Sequence, residues 1–344
     1  MSEEETTVKK KKFNFSFSSI TKLMRDPKAF YNEYILGNYD DTSKKFLDEG
    51  TIAHCLVLNP EDFYEEIVVM NCKVPSDNPR KIIDNVFKLY GEEQVKLTPD
   101  RLLILSDYDK AILAELLKED LYQSLTDSKR KDEDGNMFTG DEKRLQKIVT
   151  NDNQAYFATL GTAYKKTIID YGMLEKAKKK AEAVLSHPRA SFLLTEQDGE
   201  DIRMEMDLRC ELKNYSFGLR GIIDNVKVNN KKKLIIINDL KTTSKTLQKW
   251  YEDFHTSPYM YWMQPIIYKE LLLSLIPPGI DNWTLQVNFI VVDCNDDVYC
   301  FPVKPESLAK WQLETKKVYD KAQWHLSNNK YDLPYEFLNN QIQL

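Results

Sequence analysis

Two apolar segments with a short polar stretch between them dominate the hydrophobic pattern in the second half of the chain. The segments GIIDNVKV (221–228) and LIIIND (234–239) are rich in Ile and Val, whereas the linking NNKKK (229–233) is entirely polar. This pattern predicts two β-strands joined by a polar turn. We therefore expect an antiparallel hairpin from about Phe217 to Thr243.

The predicted hairpin brings charged side chains together. If the turn is centred on residues 231–232, antiparallel pairing places Asp224 opposite Asp239, because facing positions have a constant sum of residue numbers. Alternation along the second strand puts Asp239 and Lys241 on the same face. Two acids and one lysine are thus expected at one place.

Helix-like and strand-like patterns alternate along the rest of the chain. A short buried helix after Gly50 carries His54, and an earlier strand carries Glu205. Apolar spacing predicts further helices near residues 18–34, 101–125, 162–194, 246–275 and 305–326, and a second hairpin near 283–303. This order predicts an α/β (α+β) fold, in which a central mixed β-sheet is flanked by helices.

The same pattern suggests a division of the chain. We expect a disordered charged tail over residues 1–12 and an N-terminal helical part over 13–70. A helical and loop insertion follows over 71–150, with an exposed polar loop near 127–144, and the main core occupies 151–344. All parts are expected to pack as one globular unit.

Composition narrows the class of protein. The 344 residues are 42% hydrophobic, which suffices for a sizeable core, and no apolar run approaches the length of a membrane span. With no signal-peptide pattern at the N-terminus, we expect a soluble cytoplasmic protein without membrane contacts. The five cysteines form no C-x-x-C pair, so neither a zinc ribbon nor a disulfide framework is indicated.

Charge leaves a nucleic-acid partner open. The net charge of −6 argues against indiscriminate binding of nucleic acid through overall charge. Lysine clusters at 9–12, 176–180 and 231–233 still allow a local basic groove, although such a cluster is more often a solvated face or tail than a phosphate contact.

Two facing carboxylates suggest a metal site. Close carboxylates repel, and a divalent cation neutralises them. Hard oxygen ligands suit Mg²⁺ or Mn²⁺. The alternative to a metal site is a pair of solvated acids on the strands, with the D-x-K spacing of Asp239 and Lys241 arising by chance. Glu205 is either a further metal ligand or an exposed acid on an edge strand.

An ordered set of motifs resembles the PD-(D/E)XK nuclease superfamily. It is most similar to the exonuclease VIII type of phage recombination nuclease, and is related to helicase-associated and CRISPR-associated nucleases. The similarity covers roughly residues 15 to 330, with a poor match near 71–150. The motifs are FSFSSITKLMRDPKAFY, GTIAHCLVLNPEDF, HPRASFLL, E-x-D at 205–207, RGIIDNV, INDLKTT and Q-x-x-x-Y at 264–268.

The resemblance implies a restriction-endonuclease-like core and a role for each matching residue. The metal ligands it implies are His54, Asp224, Asp239 and the backbone carbonyl of Leu240. Lys241 matches the lysine of the D-x-K motif, and Gln264 and Tyr268 match a helix beside the site. Because Pro265 follows Gln264 at once, that helix must begin or kink there.

The implied activity is metal-dependent hydrolysis of DNA phosphodiester bonds from the ends of linear duplexes, in phage-type recombination. The resemblance also implies a homo-oligomer, a single-strand annealing recombinase as partner, and a bacterial or phage-infected host cell. The cysteine spacing predicts no iron–sulfur cluster. The alternatives are a structure-specific endonuclease or single-strand nuclease of the same fold, and a catalytically idle DNA-binding or assembly protein derived from a nuclease.

Overall fold

The computed structural model describes residues 12–38, 49–99, 101–125, 139–255, 260–275 and 283–342. By internal contacts the chain divides into two compact units. Unit 1 comprises Met1–Lys44, Asp48–Pro60 and Ala177–Leu344, and unit 2 comprises Lys45–Leu47 and Glu61–Lys176. The division expected from sequence, with boundaries at residues 70 and 150, stays a prediction.

The strands and helices are numbered in chain order. The strands are β1 (Asn14–Phe15), β2 (Ile67–Met70), β3 (Thr167–Asp170), β4 (Asp201–Glu211), β5 (Gly218–Asn229), β6 (Leu234–Thr242), β7 (Thr284–Val292) and β8 (Val298–Pro302). The helices are α1 (Phe17–Arg25), α2 (Pro27–Phe30), α3 (Glu49–Leu58), α4 (Phe63–Glu66), α5 (Asp77–Val86), α6 (Glu92–Leu97), α7 (Asp109–Lys118), α8 (Gly140–Ile148), α9 (Asn151–Thr162), α10 (Tyr171–Ser186), α11 (Pro188–Leu194), α12 (Leu247–Asp253), α13 (Gln264–Leu273), α14 (Pro305–Asn328) and α15 (Tyr335–Leu338).

Unit 1 is built on a six-stranded mixed sheet. Strand β5 pairs antiparallel with β4 along its length, parallel with β1 at its start and antiparallel with β6 at its end. Strand β6 pairs parallel with β7, which pairs antiparallel with β8. The helices α12 and α13 lie in the crossover from β6 to β7. The fold is therefore the mixed α/β arrangement expected from the sequence.

The register of the β5–β6 hairpin is the one predicted from the sequence. Asn225 pairs with Asn238 and Asn229 with Leu234, so facing residue numbers have the same sum as those of Asp224 and Asp239. The four-residue turn is closed by the Asn229 side chain, which accepts a hydrogen bond from Lys232 N at 3.0 Å. The two acids therefore occupy the next position beyond the paired residues.

Helices cover both faces of this sheet. Apolar side chains such as Ile237 of β6 join a core that includes Ile267 of α13 and Val318 of α14. Leu240, which points the other way from Ile237, packs instead in a core with Val57 of α3 and Leu193 of α11. Because alternate residues of β6 face different helix layers, both faces of the strand are buried.

Unit 2 is mostly helical around a two-stranded parallel sheet of β2 and β3. Its core contains fully buried side chains from α5, α7 and α9, including Ile83, Ile112 and Phe157. A π-helical segment, Phe87–Gly91, joins α5 to α6, and a 3₁₀ segment, Leu105–Tyr108, precedes α7. Unit 2 thus has a hydrophobic core of its own.

Three local expectations are corrected or fall outside the described residues. The stretch 162–194 is not helical throughout, because Thr167–Asp170 pairs as β3 with β2. The polar loop expected near 127–144 gives way at Gly140 to α8, whose start is stabilised by a capping box of Thr139 and Glu142. Residues 1–11 of the expected tail and 127–138 of that loop lie outside the described residues.

Among the described helices, none combines the length and the apolar character needed to cross a lipid bilayer.

Candidate functional site

The two acids of the hairpin are buried in unit 1. Asp224 on β5 is 8% exposed and Asp239 on β6 is 1% exposed. Each needs compensating partners, because an isolated buried carboxylate is costly. The surrounding elements supply those partners from α3, from α13 and from β6 itself.

His54 is placed by α3 so that its ring meets β5 and β6. Its Nε2 atom lies 3.1 Å from Asp224 Oδ2 and 3.1 Å from the backbone carbonyl oxygen of Leu240. The Leu240 backbone N–H donates to the same Asp224 Oδ2 at 2.8 Å. Asp224 therefore fixes both the histidine ring and the peptide that carries the Leu240 carbonyl.

Asp239 is held by a lysine and a tyrosine. Lys241 Nζ lies 2.5 Å from Asp239 Oδ2, as expected for residues on one face of β6. The Tyr268 hydroxyl donates to Asp239 Oδ1 at 3.2 Å and accepts from Gln264 Nε2 at 2.6 Å. Helix α13 begins at Gln264 with Pro265 in its first turn, so the proline starts the helix and does not kink it.

Glu205 approaches the site from β4. The β4–β5 register would place Glu205 opposite Asp224, but the pairing is interrupted at this position. Glu205 has a left-handed backbone there, with φ of +44°. Its Oε1 lies 4.0 Å from His54 Nδ1, and its Oε2 accepts a hydrogen bond from the Asn59 side chain. A left-handed backbone at a non-glycine residue is a local strain of a kind that collects at functional sites.

All eight predicted site residues therefore fall in one region of unit 1. Glu205, His54, Asp224 and Leu240 form one chain of contacts. The second chain consists of Lys241, Asp239, Tyr268 and Gln264. Their chemical roles stay predictions.

The surroundings of the two carboxylates shift their pKa values in opposite directions. Burial raises the pKa of Asp239 to about 6, although the Lys241 charge opposes this. Burial also disfavours ionised Asp224, but the hydrogen bond and charge of His54 outweigh it and lower its pKa. Asp224 is thus the more firmly ionised of the two.

The two basic groups respond to those carboxylates. Burial lowers the pKa of His54, but the hydrogen bond and charge of Asp224 outweigh burial and raise it overall. Burial likewise opposes the Lys241 ammonium, but the charges of Asp239 and Asp224 and the hydrogen bond to Asp239 together outweigh burial, so the pKa of Lys241 is raised. The described residues therefore favour the charged ammonium at Lys241, and a depressed pKa there would require a neighbouring cation.

The donor atoms around His54 fit a small divalent cation. Ligands at right angles around Mg²⁺, each about 2.1 Å from the ion, lie about 3.0 Å apart. The 3.1 Å distances from His54 Nε2 to Asp224 Oδ2 and to the Leu240 carbonyl oxygen match this spacing. Among the described residues, no three His, Cys, Asp or Glu side chains form a metal-binding group, so a metal ion here would need the Leu240 carbonyl among its donors.

Sequence reasoning missed a row of buried amides beside the acids. Asn238 Nδ2 donates to Asn225 Oδ1 at 2.7 Å and to the Leu193 carbonyl at 2.9 Å, and Asn238 Oδ1 accepts from Asn288 Nδ2 at 2.9 Å. These three asparagines link β5, β6 and β7 one position away from Asp224 and Asp239. The sequence could have indicated them, because an asparagine lies directly beside each acid, Asn225 beside Asp224 and Asn238 beside Asp239, within an otherwise apolar strand.

A cavity of about 450 Å³ opens where β6 ends, immediately after Lys241. Its lining includes Thr242, Ser244 and the aromatic side chains of Trp250 and Tyr261, which stack with ring centroids 5.7 Å apart. Hydroxyl groups and aromatic rings are both suited to contact nucleotides. The cavity thus lies at the end of the strand that carries Asp239 and Lys241.

Comparison with known proteins gives little further identification. No protein-family model matches the chain, and no curated protein matches it. Among the solved structures, the chain is similar to a Eubacterium rectale protein named "Putative exonuclease", with a TM-score of 0.41 and 10% sequence identity. The match covers 96% of this chain and 89% of that one.

Proposed function

We propose that unit 1 is a metal-dependent deoxyribonuclease that hydrolyses phosphodiester bonds. The observation that carries the proposal is the meeting of His54, Asp224 and the Leu240 carbonyl at 3.1 Å, beside the Asp239–Lys241 pair. In the proposal Mg²⁺ or Mn²⁺ is held by these three groups together with Asp239. Such an ion, when bound, lowers the pKa of a water molecule and polarises a phosphodiester.

The protein's own groups have distinct parts in this proposal. Asp224 orients the His54 ring and the Leu240 peptide, since its Oδ2 contacts both. Lys241, in its ammonium form, positions the attacking water or stabilises the negative charge that develops on the phosphate oxygens. The Tyr268 hydroxyl and the Gln264 amide hold Asp239 in place.

The finer proposal is an exonuclease that acts on the ends of linear double-stranded DNA in phage-type recombination. It rests on the motif resemblance, as do a homo-oligomeric state and a single-strand annealing recombinase as partner. A structure-specific endonuclease or single-strand nuclease would use the same residues.

A catalytically idle DNA-binding protein is the second candidate, and one observation favours it. In the described arrangement Asp239 is already engaged by Lys241 and Tyr268, and Asp224 by His54. A site whose charges satisfy one another does not need an ion to be stable.

End-labelled linear and closed circular duplex DNA, incubated with Mg²⁺ or Mn²⁺, distinguish these proposals. We expect loss of the linear form only, abolished by Asp224→Ala and by Lys241→Ala. Lys231→Ala, an exposed lysine in the turn of the same hairpin, is the matched control and should keep full activity. Cleavage of the circle would replace the exonuclease with an endonuclease, and binding of DNA without any cleavage would favour the idle protein.

A further inference from the structure

A second cavity, of about 640 Å³, lies within unit 2, and its lining contains no residue of the proposed hydrolytic site. It is bounded by the end of α6, the segment that follows it, and the end of α9. Its size falls in the range of cavities that hold small organic ligands. No role in the proposed hydrolysis accounts for it.

Among the described residues that line this cavity, all the charged side chains are cationic. Three cationic side chains line it, those of Lys96, Arg101 and Lys165. None of its described lining residues carries a carboxylate, and Asp100 lies outside the described residues. In a protein with a net charge of −6, a lining of this kind is a local reversal of the overall charge.

Two of these cations meet at one aromatic ring. Lys96 Nζ lies 5.8 Å and Lys165 Nζ lies 5.6 Å from the centroid of the Tyr164 ring. Neither lysine has an ion pair with another described residue, whereas Arg101 is 3.6 Å from Asp107 in an exposed pair of small energetic value. Both ammonium groups therefore lie at one ring, and an anion bound there would be stabilised by both charges.

The local fold explains why these groups converge. Helix α9 ends in a tight turn, in which Lys166 N donates to the Ala163 carbonyl at 2.8 Å, and Lys165 takes a left-handed backbone with φ of +66°. Gly161 of α9 allows close packing, because a Cβ atom there would lie 3.0 Å from Leu103 Cδ1. The end of α9 therefore sits directly against the segment that carries Arg101.

We propose that this cavity in unit 2 binds a segment of single-stranded nucleic acid. Lys96, Arg101 and Lys165 contact its phosphates, and Tyr164 stacks with a base. Cations interleaved with an aromatic ring are the combination by which proteins bind single strands without reading their sequence. The inference does not depend on hydrolysis in unit 1, since binding requires none of the residues of that site.

The test is fluorescence anisotropy of a labelled single-stranded oligodeoxynucleotide with the full-length protein in the presence of a chelator, which prevents metal-dependent cleavage. We expect Lys96→Ala/Lys165→Ala to weaken binding at least about 10-fold and to lower the salt slope of log K by about 1.4, the loss of two phosphate contacts. Tyr164→Leu should weaken binding about 10-fold through lost base stacking.

Lys88→Ala/Lys147→Ala is the matched control, because it removes two exposed lysines of the same unit that do not line the cavity. It should leave the salt slope unchanged. Equal effects of the two double variants, or no binding by the wild-type protein, would overturn the proposal. Effective competition by a deoxynucleoside monophosphate would also overturn it, in favour of a free-nucleotide site.

Both substituted lysines are exposed, so loss of folding is not expected, and Lys96→Gln/Lys165→Gln provides a second pair with longer neutral side chains. The outcomes in the two units are separable. A protein that binds the oligonucleotide through the cavity but cuts no DNA with Mg²⁺ or Mn²⁺ would contradict only the proposed nuclease. A nuclease whose double variant binds as well as the control would contradict only the cavity.

Discussion

Replacing Asn238 by alanine should destabilise unit 1 far more than an ordinary polar substitution. Asn238 is fully buried, and its amide contacts three groups: the Leu193 carbonyl, Asn225 Oδ1 and Asn288 Nδ2. The truncation leaves all three buried without that partner, at about 1 kcal/mol or more each. We therefore expect a loss of about 3 kcal/mol or more in the free energy of unfolding.

Tryptophan fluorescence during urea denaturation is a suitable assay, because all five tryptophans lie in unit 1. Asn32→Ala, at an exposed position of the same unit, is the control and should change the free energy of unfolding by no more than about 0.5 kcal/mol. Equal losses for the two variants would refute the reasoning about the amide row.

A further variant tests whether the amides act together. Replacing Asn225, Asn238 and Asn288 by leucine removes donors and acceptors jointly, so few polar groups are left unpaired. The triple variant should therefore lose less stability than the sum of the three single leucine variants. Simple additivity would mean that the amides act independently.

Three other predictions concern buried polar groups. Tyr268→Phe removes the hydroxyl that donates to Asp239, so DNA cleavage in the digestion assay should fall about 10- to 100-fold while the fold, followed by circular dichroism, is kept; unchanged cleavage would contradict the role of Tyr268. Lys227→Met breaks the buried ion pair with Glu200, in which the two charged atoms lie 2.5 Å apart, and should lower the free energy of unfolding in urea by about 3 kcal/mol or more. A much smaller loss would mean that solvent screens the pair. Burial lowers the pKa of His325 below its ordinary 6.5, so the unfolded chain takes up the proton first and the stability of the fold should fall as the pH drops below about 6.5. Thermal unfolding between pH 8 and 5 should show a smaller loss of stability for His325→Gln than for the wild type. Identical pH profiles for the two proteins would contradict this role of His325.

The geometry of the β5–β6 hairpin was accessible from the sequence because local rules determine it. Facing strand positions have a constant sum, and side chains alternate between faces, so Asp224, Asp239 and Lys241 could be placed together from their numbers alone. His54 could be related to them only through a motif resemblance, since no local rule links α3 to β6. Its 3.1 Å contacts depend on how the helix packs on the sheet.

Other features escaped prediction for identifiable reasons. The strand β3 is only four residues long and lies between two helices, so its apolar run gave no alternation to recognise. The left-handed backbone of Glu205 interrupts the β4–β5 ladder within a regular strand pattern, which residue types do not reveal. The cation-lined cavity of unit 2 draws Lys96, Arg101 and Lys165 from three separate segments, and only tertiary packing brings them together.

The proposal that unit 1 holds a catalytic divalent ion is tested most directly by Mn²⁺ binding, measured by electron paramagnetic resonance of the free ion at equilibrium. We expect the wild-type protein to bind Mn²⁺, and Asp239→Asn and His54→Gln to bind it at least about 100-fold more weakly, because losing a ligand should cost at least as much as losing an outer-shell partner, about 10- to 100-fold. Asp201→Asn, which changes an exposed acid on β4, should bind like the wild type. No binding by the wild-type protein, or equal binding by all four proteins, would contradict the metal site.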